Sequence, residues 1–199
     1  LWLQSLVDVQ RETGADVVNG CVEPQYEEGF PSYLKGILLW YRGNFQEKQE
    51  VYQAPTGSVL YKRKMFFLRT PAFNLVYGKT GGEDTEFSFF LISRGIKMVK
   101  THQALAYEFQ PLERGKMLYY WRRIFRQSHL AAGIHYRYYY RMNGARVNGW
   151  LFLKGVGEIL RNIPLLLIMP RKAFFRMGFH FSRSLGILAW HLGIQNFRH

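Results

Sequence analysis

Gly14 divides the opening of this chain into two patterns whose succession narrows the fold class. Ahead of it, Leu1-Trp2-Leu3-Gln4-Ser5-Leu6-Val7 and the residues to Thr13 follow an amphipathic helical period. Behind it, Ala15-Asp16-Val17-Val18-Asn19-Gly20-Cys21-Val22 is an apolar run that reads as a buried strand. A glycine at the junction supplies the left-handed stop of the helix. A helix feeding directly into a buried strand points to the α/β class. The helix has no capping residue ahead of it and Leu1 is not an initiator methionine, so the chain is expected to begin inside a fold. No basic n-region or small-residue cleavage site marks a signal peptide.

Further along, Pro24 and the acidic stretch to Pro31 are expected to form a loop. Tyr33, Ile37, Leu38 and Tyr41 then recur at helical spacing. Residues 54–57, Ala-Pro-Thr-Gly, read as a turn before a short strand over 58–61, which ends in the basic Lys62-Arg63-Lys64. Phe87, Phe90 and Leu91 mark the buried stripe of a helix that Gly95 terminates. Residues 96–109 carry one or two strands, with Met98, Val99 and residues 104–107 as core. A long helix follows Gly115, its stripe of Met117, Leu118, Trp121, Ile124 and Phe125 expected to pack on the sheet. Arg122, Arg123 and Arg126 cluster on adjoining positions of the same two turns, which suits either a solvated face or a phosphate.

Charge divides the chain as well. Residues 1–113 hold 12 Lys+Arg against 13 Asp+Glu, whereas residues 114–199 hold 15 Lys+Arg against the single Glu158. The net charge of +13 therefore resides entirely in the second part, whose partner is expected to be a polyanion or an anionic membrane surface. At 199 residues and 48% apolar composition the chain is long enough to bury a core. Its one cysteine, Cys21, excludes an internal disulfide framework and reads as core. The six histidines show neither HxH nor HExxH spacing, so a histidine-bound metal is not expected.

The stretch that points to chemistry is Gly81-Gly82-Glu83-Asp84-Thr85-Glu86. Two adjacent carboxylates at a helix start face backbone N–H groups and the positive end of the helix dipole, which stabilises their charge and fixes their direction. Such a carboxylate can take a proton from a hydroxyl. The same residues also fit a plain cap, with Asp84 or Thr85 closing a surface helix.

The order of several motifs favours the first reading. Trp2 near a helix start, Thr13-Gly14-Ala15-Asp16-Val17-Val18, Gly20, Pro24, Pro31 and Thr56-Gly57 ahead of Lys62-Arg63 come first. Gly82-Glu83-Asp84-Thr85-Glu86, Gly95, Tyr107-Glu108, Pro111, Arg114 and finally Arg122-Arg123 with Phe125-Arg126 follow. Over residues 1–130 this series resembles the C-terminal half of the GT-A catalytic domain of family 2 glycosyltransferases. The most specific part is the Glu-Asp pair followed about thirty residues later by Glu-x-x-Pro-x-x-Arg and an Arg-rich helix.

The resemblance implies a partial GT-A mixed sheet with helices over 1–130 and a basic amphipathic helical region over 131–199. It also implies inverting transfer of a sugar from a nucleotide-diphosphate donor to a carbohydrate or lipid-linked acceptor. Asp84 takes the place of the general base, with Glu83 orienting it or binding the acceptor and Gly82 beside them. Thr56 and Gly57 fall where relatives line the acceptor pocket, and Arg114, Arg122, Arg123 and Arg126 fall near the donor diphosphate. Such enzymes hold a divalent cation, Mg or Mn, through an Asp-x-Asp. This chain has only Asp8, Asp16 and Asp84, so the donor and metal half is expected to lie upstream, leaving the stretch by itself inactive. The processive-polymerase signature Gln-x-x-Arg-Trp is absent, because Gln110 and Arg114 stand one residue too far apart and Gly115 follows. A single-addition transferase of envelope polysaccharide or glycolipid is the expectation.

In the C-terminal region, residues 150–153, 159–160 and 163–169 form apolar stripes that Lys154, Glu158, Arg161 and Pro164 interrupt well short of a membrane span. Residues 171–176, Arg-Lys-Ala-Phe-Phe-Arg, have the makeup of a helix lying on anionic lipid, and also of an ordinary amphipathic subdomain packed on the catalytic domain. With the resemblance, the expectation is membrane association on the cytoplasmic face, peripheral or through the C-terminal helices. The rival classes are a basic membrane- or nucleic-acid-binding module without chemistry and a degenerate, non-catalytic transferase-like protein. The tyrosine-rich 135–141 segment could grip nucleic acid, but no nucleic-acid motif is present and its basic residues lie along helices, so no nucleic-acid partner is expected.

Overall fold

The computed structural model describes residues 1–36, 45–78, 80–139 and 144–194. The expected helix through Ile37, Leu38 and Tyr41 falls outside these residues apart from a 3-10 turn at Ser32–Leu34, and so do Tyr140 and Arg141 of the tyrosine-rich segment. The chain is mixed α/β and divides into two compact units, Leu1–Glu27 with Gly36–Gln110 and Glu28–Lys35 with Pro111–His199.

In the first unit, α1 (Trp2–Thr13) ends at Gly14, whose φ of 68° is the left-handed stop read from the sequence. The chain then enters β1 (Val17–Tyr26), the middle strand of a three-stranded sheet ordered β2-β1-β3. Strand β2 (Val59–Tyr61) pairs antiparallel with the first residues of β1, Val17 opposite Tyr61 and Asn19 opposite Val59. Strand β3 (Met98–Gln110) pairs parallel along all of β1, with a bulge between Asn19 and Cys21. Leu6 and Val9 of α1 pack against Ala15, Val18, Val99 and Ala104 to make the core of this unit. Cys21 is buried there, as its apolar context requires. The outer edge of β3 is covered by residues 48–51, where the Lys48 and Val51 amides donate to the Lys100 and Met98 carbonyls.

Three expectations need correction here. The strand does not stop before Pro24 but runs to Tyr26, with Pro24 opposite Glu108. β2 leaves β1 after Asn19, and among the described residues no strand pairs with that edge at Pro24, so a proline without an N–H is tolerated there. The helix α2 (Glu83–Ser93) has no single apolar stripe, since all six residues from Glu86 to Leu91 are buried. Tyr107 is exposed, because the sheet beyond the bulge is a two-stranded arm with one face in solvent.

The second unit is helical. In it α3 (Met117–Tyr139), α4 (Gly144–Asn162) and α5 (Pro170–His191) pack together. Trp121 lies against Gly178, and Phe125 and His129 against Gly186, so α3 and α5 run in the same direction. Ser184 Oγ donates to the Phe152 carbonyl while Gly155, further along α4, meets the earlier His180 carbonyl of α5, so α4 runs antiparallel to both. Tyr120 and Phe175, both fully buried, meet edge to face at 5.9 Å. The stripe of α3 therefore packs on helices and not on a sheet, and Leu118 of that stripe is exposed. Among the described residues no helix is long and apolar enough to cross a membrane.

Candidate catalytic site

The glycine pair at 81–82 makes the site possible. Both glycines have positive φ, 76° and 90°, a conformation that side chains resist, and Gly82 is the N-cap of α2. No side chain caps the helix, so neither Asp84 nor Thr85 has the plain capping role. Instead Glu83, Asp84 and Glu86 all fall in the first turn, against the exposed N–H end of the helix.

Asp84 is fixed by three hydrogen bonds. Its Oδ1 accepts from the Thr85 amide at 2.6 Å and from the Thr85 hydroxyl at 3.3 Å, and its Oδ2 accepts from the Thr56 amide at 3.3 Å. A carboxylate has about four lone-pair directions, so the half-buried Asp84 keeps capacity for one more donor. Of the residues singled out in the sequence, Thr56 is thus brought directly onto Asp84, with Gly57 next to it in the same turn. A Cβ at Gly57 would stand 3.2 Å from the Val22 side chain, so the turn lies close on β1. Glu83 makes no bond to Asp84; its Oε2 is buried and has no hydrogen-bond partner among the described residues. A buried, unmatched carboxylate oxygen is expensive unless an incoming donor meets it.

The turn carrying Thr56 is held by side chains that the sequence reading passed over. Asn19 Nδ2 donates to the Pro55 and Ser58 carbonyls at 3.2 and 2.9 Å, and Tyr61 Oη donates to the Ala54 carbonyl at 3.2 Å. Ser88 Oγ donates to the Asp84 carbonyl at 2.8 Å and accepts from the Ala54 amide at 3.1 Å, linking the turn to α2. Burial, and then the charge of Asp84, raise the Tyr61 hydroxyl well above its ordinary pKa, so it stays a proton donor in this bond. Asn19 and Ser88 had a signal available: each is a lone polar residue inside an apolar run, and each is buried.

Arg69 left no such signal. Its guanidinium forms a two-pronged pair with the fully buried Glu86, both N···O distances 2.8 Å, and also donates to the Ala72 carbonyl. It lies 4.5 Å over the Phe90 ring. The aromatic rings of Tyr61, Phe66, Phe73 and Phe87 pack beside it. Loop residues 65–73 are thereby fastened to the helix that presents Asp84.

The four arginines belong to the second unit. Arg114 closes a 3-10 turn at Leu112–Arg114, Arg122 is exposed, Arg123 Nη1 donates to the Tyr119 hydroxyl at 3.4 Å, and Arg126 is half-buried. Among the described residues no three His, Cys, Asp or Glu side chains converge as a metal site.

No protein-family model matches the chain, and no solved structure matches it. The chain is similar to the succinoglycan biosynthesis protein ExoM of Rhizobium meliloti, with 29% identity over 133 residues. The match covers 64% of this chain and 41% of that protein, so the chain spans less than half the length of the curated relative it matches.

Proposed function

We propose that this chain is the acceptor-side part of an inverting family 2 glycosyltransferase of GT-A fold, acting in polysaccharide biosynthesis. The observation that carries the reading is the Thr56 amide on Asp84 Oδ2, which joins the acceptor-pocket turn to the base across 28 residues of sequence. The similarity to a succinoglycan biosynthesis protein supports the same class.

In this mechanism an acceptor hydroxyl enters beside Thr56 and Gly57 and donates to the remaining lone pair of Asp84. As its oxygen attacks the anomeric carbon, Asp84 takes the proton. The new C–O bond forms on one face of the sugar while the bond to the diphosphate breaks on the other, which inverts the configuration. Glu83 Oε2 receives a second donor of the acceptor and so orients it. Arg114, Arg122, Arg123 and Arg126 are proposed for the donor diphosphate on the sequence resemblance alone, since guanidinium forks suit that charge. The divalent cation of such enzymes, Mg or Mn, has no Asp-x-Asp to hold it in this sequence, and no step here runs through it.

In the active transferase, Asp84→Asn is expected to lower sugar transfer about 10²–10⁴-fold while donor binding and the circular dichroism spectrum stay unchanged. Radiolabelled sugar transfer measured beside donor-binding titration checks this. Turnover within a few-fold of the parent enzyme would remove Asp84 from the mechanism.

A further inference from the structure

The α4–α5 connection has the wrong surface for a loop in water. Pro164 within it and Pro170 just after it each start a helical segment, so residues 163–169 form a short connection between two antiparallel helices. Six of those seven residues are Ile, Leu or Met. Leu167 is 92% and Ile168 74% exposed, and Ile163 and Met169 are exposed beside them. A contiguous apolar tip of this kind marks a surface that meets another phase or molecule.

Its surroundings say which. Arg161 closes α4, and Arg171 and Lys172 open α5, all three exposed. Arg161 is paired with Glu158, the single acid in residues 114–199. Arg171 and Lys172 sit in a first helical turn that holds no acid and has no side-chain cap. Two cations at the positive end of a helix dipole are unfavourable by themselves and become favourable when anions lie in front of them. The apolar surface also continues from the tip. Leu118, Ile159, Phe174 and Phe181 line a groove of about 600 Å³ between α3, α4 and α5, at the same end of the three helices as the tip.

We propose that residues 163–169 are a membrane anchor that seats in the interfacial layer of an anionic bilayer, with Arg171 and Lys172 on the lipid phosphates. Seven residues are far too few to span a bilayer, which needs about 20. They suffice to dip about 5–10 Å into the boundary between headgroups and acyl chains. The proposal does not depend on the transferase reading, since it concerns binding to lipid and no activity.

The test is co-sedimentation of the chain with vesicles of phosphatidylcholine alone and of phosphatidylcholine mixed with phosphatidylglycerol. Binding to the mixed vesicles is expected, weakening as salt rises. The pair Leu167→Asp and Ile168→Asp is expected to reduce it at least about tenfold, and the pair Arg171→Gln and Lys172→Gln to abolish the preference for anionic lipid. Leu167→Trp is expected to give an emission that bromine-labelled acyl chains quench. Unaltered binding by the aspartate pair, or an added indole emission that the bromines leave unquenched, would overturn the proposal. So would absence of vesicle binding, and if the aspartate pair then removed a self-association seen by sedimentation velocity, the tip would be a contact between copies of this chain.

Discussion

At the scale of single residues, the unit carrying Asp84 depends on one ion pair that lies away from it. Arg69 and Glu86 join loop and helix with one partner fully buried, and removing the arginine takes a two-pronged guanidinium away from that buried carboxylate. Arg69→Met is expected to destabilise the protein by about 3 kcal/mol, the low end of the range for buried pairs because Arg69 keeps some contact with water. Changing Glu86→Leu in the same chain should recover most of the loss, since the buried carboxylate is then removed together with its guanidinium. Urea unfolding of the single and double variants decides this, and equal midpoints for Arg69→Met and the parent would show the pair to be idle. The helix start that carries Asp84 was legible, because a glycine pair ahead of two adjacent carboxylates and an apolar run reads as one. Arg69 was not, since its partner is 17 residues away and nothing local distinguishes it from the basic residues nearby.

At the scale of elements, the approach of α3 to α5 is set by glycines. A Cβ on Gly186 would fall 2.3 Å from the Phe125 carbonyl oxygen and 3.1 Å from the His129 amide nitrogen. Both are backbone atoms that cannot rotate aside, so Gly186→Ala is expected to cost about 1–3 kcal/mol. Gly157 on α4 is the opposite case, with open space around its missing side chain. Gly157→Ala is expected to stabilise by about 0.5–1 kcal/mol through helix propensity. Thermal melts of the two variants check both signs, and two shifts in the same direction would refute this account of the packing. The sequence could place α3 and its stripe by period, yet it assigned the stripe the wrong partner, because a helical period says which face is buried and not against what.

At the scale of the whole molecule, the two units answer acid differently. Burial holds the imidazoles of His129 and His135 on α3 and His180 on α5 below the usual histidine pKa. The Ile194 carbonyl and Asn148 Oδ1 accept from the rings of His129 and His135, while Arg183, Arg161 and Arg176 oppose any charge that Glu158 would favour on His180. The unfolded chain takes up protons near pH 6.5 where these folded imidazoles do not, so stability is complete above about pH 6.5 and falls as the pH drops below it. In the first unit, burial raises the Asp16 carboxyl, but Lys62 and Lys64, each 3.1 Å away, outweigh it and leave the group below its ordinary value. That contribution persists until the pH falls below about 3.9. Trp121, Trp150 and Trp190 all report on the second unit. Urea midpoints by tryptophan fluorescence are expected to fall between pH 7.5 and pH 5.5, and to fall less when the three histidines are replaced by glutamine. A midpoint that stays constant over this range would contradict the assignment.

Local pattern by itself determined the helix that stops at Gly14, the buried strand after it, the glycine-set turn that presents Glu83 and Asp84, and the division of charge. Each of these follows from periodicity, a positive φ or a count, and such causes act within a few residues. Only the tertiary structure decided that Thr56 donates to Asp84, that Asn19, Tyr61 and Ser88 hold its turn, that Glu86 is answered by Arg69, and that residues 163–169 stand exposed between α4 and α5. Those facts depend on strand register and helix packing, and hydrogen bonds and burial between residues tens of positions apart are fixed only when the chain has closed on itself.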